Sequence, residues 1–148
     1  MGHTYGFYSI ATDLVGNVEG PKTAAEASTF VQGPCAANVT GSITVSRSGY
    51  EFNPGTRLFY QTVKLTNNSG TAITGPIDLV LDNLSSNATL SNEFGVTSCA
   101  APLGSPYVAN STASLAPGAT VSVSLEFSDP TKATTTYAAR ILAGAGIP

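Results

Sequence analysis

The chain has 148 residues, enough for one domain with a real core and a fragment beside it. Only 10% of the residues are Asp, Glu, Lys or Arg, against roughly 25% in ordinary soluble domains. The net charge is -3 with no basic stripe, which speaks against nucleic acid, and no stretch approaches the ~20 apolar residues of a membrane helix.

The polar surface must therefore come from Ser, Thr and Asn. These side chains compete with a helical backbone for hydrogen bonds, and with 15 glycines and 9 prolines they suit a β protein of the secreted kind. Nothing in the sequence reads as a secretory leader.

Residues 1-32 read as a hairpin that stands apart. Tyr5, Phe7, Ser9 and Ala11 alternate with Gly6, Tyr8 and Ile10; "DLVGN" makes a tight turn; "TAAEASTFV" supplies a return strand; and "VQGPC" punctuates as a linker. Residues 33-148 read as a separate all-β unit. "NVTGSITVSRSGYEF" is a first strand with Val39, Ile43 and Val45 on one face, followed by "NPGT", a type II turn by its Pro-Gly pair. "RLFYQTVKLTN" is a second strand, with Phe59, Gln61, Val63 and Leu65 alternating against Tyr60, Thr62, Lys64 and Thr66. "IDLVLDNL" is a third, with Ile77, Leu79 and Leu81 inward and Asp78 outward. The stretch from Ser85 to Asn110 is irregular, with short strands expected around Ala88–Leu90 and Val96–Cys99. A Pro-Gly turn then leads into "TVSVSLEFSD", where Val121, Val123, Leu125 and Phe127 face inward, and "TTYAARILAGA" closes the series. Short strands separated by turn signals predict an antiparallel β-sandwich.

Cys35 and Cys99 are too far apart for a C-x-x-C redox motif, and one histidine leaves too few ligands for zinc. A disulfide is the natural reading, with two buried thiols as the alternative. It would close a long loop, stabilise by about 4 kcal/mol in the chain-entropy treatment, and imply an oxidising compartment.

"TYGFYSIATDLVGNVE" resembles the last two strands of fibronectin type III-like and related bacterial immunoglobulin-like modules, with Ala11, Asp13, Gly16 and Asn17 at the places of the "A-x-D-x-x-G-N" turn. "FYQTVKLTNNSGTAITGPIDLVLDNL", "LAPGATVSVSLEFSDP" and "YAARILAGAG" resemble a second immunoglobulin-like module of large secreted or surface-anchored proteins. The resemblance implies a piece of a longer tandem array that begins inside one module and runs through the next. It also implies a spacer, stalk or adhesin role outside the cell, and it brings no catalytic residues. Such modules also accompany catalytic and carbohydrate-binding domains in secreted enzymes.

A lone two-stranded hairpin is marginal in water. Tyr5, Phe7, Tyr8 and Ile10 are therefore the expected assembly anchors, docking on the C-terminal unit, on a neighbouring module or on another copy of the chain. The alternative function is an accessory module that binds polysaccharide through Tyr50, Tyr60 or Tyr107.

Catalysis is not expected. His3 lies beside the terminus, and Asp78 and Asp82 read as solvated acids on an outer face rather than a catalytic pair. No cofactor or metal is expected: Asp13, Asn17 and Glu19, and likewise Asp82, Asn83 and Asn87, lack calcium-loop spacing and are explained as turn residues. Lys64 has outward parity, unsuited to a buried isopeptide crosslink. The N-x-[ST] triplets at Asn38, Asn67, Asn83, Asn87 and Asn110 follow from a composition rich in those residues.

Overall fold

The structure is a computed structural model that describes residues 2–148. It divides into two compact units, Met1–Pro34 and Cys35–Pro148. Among the described residues all regular structure is β apart from one 3-10 turn at Thr40–Ser42.

In the first unit β1 (His3–Phe7) pairs antiparallel with β2 (Ala27–Val31). Between them the chain makes a smaller ladder, with Thr12 bridged to Val18 around the Asp13–Asn17 turn. Gly16 takes φ +90° there, a left-handed position that favours glycine. The expected return strand is present, shortened to its last five residues.

The second unit holds β3 (Ala37–Asn38), β4 (Ile43–Arg47), β5 (Glu51–Asn53), β6 (Leu58–Asn67), β7 (Ile73–Thr74), β8 (Ile77–Asp82), β9 (Thr89–Leu90), β10 (Gly95–Val96), β11 (Pro106–Asn110), β12 (Ser114–Leu115), β13 (Thr120–Ser128) and β14 (Ala138–Ala143). One antiparallel sheet runs β4-β6-β13-β9, with β5 also on β6; another runs β10-β11-β8-β14-β3; β7 and β12 form a small ribbon. Val63, Leu65, Val123, Leu125 and Phe127 of the first sheet pack with Ile77, Leu79, Leu81 and Ile141 of the second in one core. The period-2 alternation read in "TVKL", "IDLVL" and "VSVSLEF" is what builds that core.

Three expectations change. "NVTGSITVSRSGYEF" is not one strand. Asn38 accepts hydrogen bonds from the amide and hydroxyl of Thr40, and this local turn moves the chain from the β14 edge of one sheet to the β6 edge of the other. "NPGT" is not a type II turn. The Asn53 side chain accepts the Gly55 amide, the loop closes through Arg57 N–H to Asn53 C=O at 2.8 Å, and Arg57 takes the left-handed φ of 61°. The stretch assigned as irregular contains β11, which lies inside the second sheet between β10 and β8.

Candidate functional site

The hairpin displays its apolar side chains. The register His3–Val31, Tyr5–Thr29, Phe7–Ala27 places Tyr5, Phe7 and Val31 on one face and Phe30 on the other. Tyr5, Phe7, Tyr8 and Ile10 are all exposed, as are Phe30 and Val31. Sequence reasoning missed the tip: Leu14 and Val15 occupy the middle of the Asp13–Asn17 turn and stand free in solvent. The signal was legible, since polar residues and glycine ordinarily fill such positions.

The turn beneath that tip is tightly bonded. Asp13 accepts the amides of Val15 and Asn17 at 3.0 and 2.8 Å and the Asn17 side-chain amide at 2.7 Å. The Asn17 side-chain bond is the main cause that holds the Asp13 carboxyl below its ordinary range. Lys22 lies between Glu19 and Glu26, and Glu26 also accepts the amide and hydroxyl of Ser9. The hairpin is thus stiffened by local polar bonds, not by an apolar core of its own.

The three candidate sugar-binding tyrosines do not converge. Tyr50 meets Phe127 in a T-shaped pair, 5.8 Å between centroids, and its hydroxyl donates to Thr135 C=O at 3.0 Å. Tyr60 stands directly across from Glu51 and Glu126, so it shares their face of the β6 sheet. Tyr107 is not a loop residue: it lies in β11 opposite Val80 and is buried.

The second sheet differs most from expectation on its other face. Asp78 and Asp82 do point away from the main core, yet both are buried, so they are not solvated acids. Ala36, Val80, Tyr107 and Leu142 form a second apolar cluster on that face, joined by Ala100 and Ala109. The segment after β10 covers it, held by three devices. Cys35 and Cys99 form the disulfide, with their Cα atoms 5.3 Å apart. Pro148 C=O accepts the Ser98 and Cys99 amides. Arg140 forks onto Asp82 at 2.7 and 2.9 Å while donating to Ala100 and Pro102 C=O at 3.0 and 2.9 Å.

The two acids differ in electrostatics. The Arg140 guanidinium holds Asp82 below the usual carboxylate range against the opposing effect of burial. Asp78 has no such partner, and burial pushes its pKa up to about 6. Its carboxylate opens onto a groove of about 420 Å³ at the margin of the covering segment.

The remaining named residues have ordinary settings. Lys64 is exposed, as its parity required. Asn67 is buried, with its amide donating to Thr71 and Leu115 C=O and its oxygen accepting from Ser69, an environment unlike that of a glycan acceptor. Asn87 donates to Asp129. A groove of about 520 Å³ not anticipated from sequence brings together Phe52, Arg57, Asp129 and Lys132, with the Lys132 ammonium 5.5 Å above the Phe52 ring.

Among the described residues no helix is long and apolar enough to cross a membrane. The disulfide marks a non-reducing environment. No protein-family model matches the chain, and no curated protein is similar to it at a significant level.

Proposed function

We propose that the chain is a non-enzymatic extracellular module with an immunoglobulin-like β-sandwich, and that its role is structural: spacing, adhesion or subunit assembly at a cell surface. The observation that carries this reading is the hairpin. Two strands alone are marginal in water, and this pair presents Tyr5, Phe7 and Val31 on one face and Leu14 and Val15 at its tip, all solvent-exposed. Each such side chain stabilises an interface by roughly 1.5–3 kcal/mol when fully covered. The open backbone edges of β1 and β2 add the hydrogen bonds of strand addition. The partner is a β-sheet module of the same kind, on a second copy or next in a longer chain.

The test is the mass in solution of the full chain against a version starting at Gly33, by light scattering with size exclusion. Assembly of the full chain alone supports the reading, and Leu14→Ser with Val15→Ser in the full chain should weaken that assembly at least tenfold. A full chain that stays monomeric at millimolar concentration, and that binds no tandem module added in trans, overturns it.

A further inference from the structure

The groove over Asp78 is chemically unlike the rest of the surface. Its floor is the covered face of the second sheet, where Asp78 stands between Ala109 on β11 and Leu142 on β14. Its walls include Pro76, Phe94, Tyr107 and Pro148. Asp78 is only 3% exposed and burial is the one cause acting on its carboxyl. Among the described residues no fully enclosed side-chain oxygen goes unpaired, so the carboxylate, which makes no side-chain hydrogen bond, reaches its surroundings only through the groove. Acids buried to that degree are ordinarily paired. Its counterpart Asp82, two pleats along the same face, has Arg140.

The ionisable groups on the strands flanking Asp78 do not supply a counter-ion. Burial disfavours ionisation of Tyr107, and the nearby Asp78 charge adds to that effect. Arg140 is committed to Asp82 and to two carbonyls of the covering segment. The Pro148 oxygen is occupied by the Ser98 and Cys99 amides. None of the six Lys and Arg side chains of the protein lines the groove.

The aromatic wall points the same way. Phe94 is 75% exposed and lies 6.0 Å from the Tyr107 ring at a tilt of 49°. Two aromatic rings lining a groove with a carboxylate suit a cation better than an anion, and the remaining lining is apolar enough to take a hydrocarbon stem. An anion would meet a like charge in a poorly hydrated site. A neutral apolar group would leave the carboxylate unpaired and further desolvated.

We propose that this groove is a binding site for an alkylammonium group of the kind a lysine side chain carries, with the ammonium on Asp78 and the stem along Phe94, Tyr107 and Ala109. The volume, about 420 Å³, is in the range of small-ligand pockets. The site is independent of the hairpin and of the assembly role.

The experiment is an NMR titration of the full chain with pentylamine, with Nα-acetyl-lysine methylamide, and with Nα-acetyl-norleucine methylamide, which has a similar stem and no charge. Expected are shifts at Phe94, Tyr107 and Ala109 and binding of both amines at least tenfold tighter than norleucine. The Asp78 carboxyl should also ionise at lower pH when the site is filled. A capped lysine that binds as well as pentylamine identifies a polypeptide source, and a clear preference for pentylamine a small-molecule one. In Asp78→Asn the preference for the charged probes should vanish. Phe94→Ala removes an exposed side chain without disturbing the core, and it should independently weaken amine binding severalfold. Equal binding of lysine and norleucine, a preference retained in Asp78→Asn, or no shift with any probe would overturn the proposal.

Discussion

Asp78 and Asp82 occupy the same face of β8 and respond to pH in opposite ways. Burial raises Asp78 from 3.8 to about 6. Between those values the native state keeps a proton that the unfolded chain has released, so stability falls as pH rises through this window and is level above it. Asp78→Asn removes the desolvated charge and keeps the shape. It should raise stability at pH 7.5 by about 1–3 kcal/mol, with the gain gone at pH 4 and below, as read from urea unfolding at both pH values. Asp82 works in the other direction: its pKa is lowered by Arg140, so its contribution is complete above the unfolded value of 3.8 and is lost as pH falls through the folded value. Asp82→Asn leaves the Arg140 guanidinium buried without its counter-charge and should cost about 3–5 kcal/mol at pH 7. A loss below 1 kcal/mol in chemical denaturation would show that the covering segment does not bury the pair. Sequence parity put both acids on the outer face, and that was right. It could not tell that the face is covered, because the cover comes from residues about twenty positions further along and is pinned by Arg140 from the last strand.

At the scale of elements, two Pro-Gly pairs that look alike behave differently. Pro117-Gly118 makes the turn its residues specify, with Gly118 at φ +74° and Ala119 N–H bonded to Ala116 C=O. At Pro54-Gly55 the side chain of Asn53 captures the Gly55 amide, and the left-handed residue moves to Arg57. The strands with clean alternation were legible because a single buried face dictates their pattern. β11 was not, since "PYVAN" buries parts of both faces, and neither was the crossing at Asn38–Ser42, which rests on one Asx-type turn. In the second unit Gly75 and Gly146 are fixed by close approach of backbone. A Cβ on Gly75 would run into Thr112 C=O, and one on Gly146 would lie 2.4 Å from the backbone of Cys35 and Ala36. Neither obstacle is a side chain that could rotate away. Gly75→Ala and Gly146→Ala should each lower stability by about 1–3 kcal/mol, seen as a drop in thermal midpoint, whereas Gly41→Ala, which has open space, should change it little.

For the molecule as a whole, the disulfide sets the conditions under which the second unit is stable. The cystine spans 64 residues of sequence, and replacing both cysteines by serine should cost about 4 kcal/mol in denaturant unfolding. The loss should show most strongly as hydrogen exchange in the segment from Ser98 to Ser105, whose covering position the bond secures. The Cys35–Cys99 bond was readable from the spacing of the two cysteines. What would cover the exposed side chains of the hairpin was not, because exposed apolar residues do not name what packs on them.

The last strand, β14, has a further consequence. It lies inside its sheet, between β8 and β3, and Leu142 pairs with Asn38 across most of the second unit. Until β14 has left the ribosome, β8 lacks one neighbour and β3 has none. The nascent unit therefore cannot close its sheet and must remain open, with its apolar strands unshielded, for nearly the whole of its synthesis. Cys35 precedes every strand of this unit and Cys99 lies ahead of β11, so a cystine that forms before β14 arrives would close over an unfinished sheet.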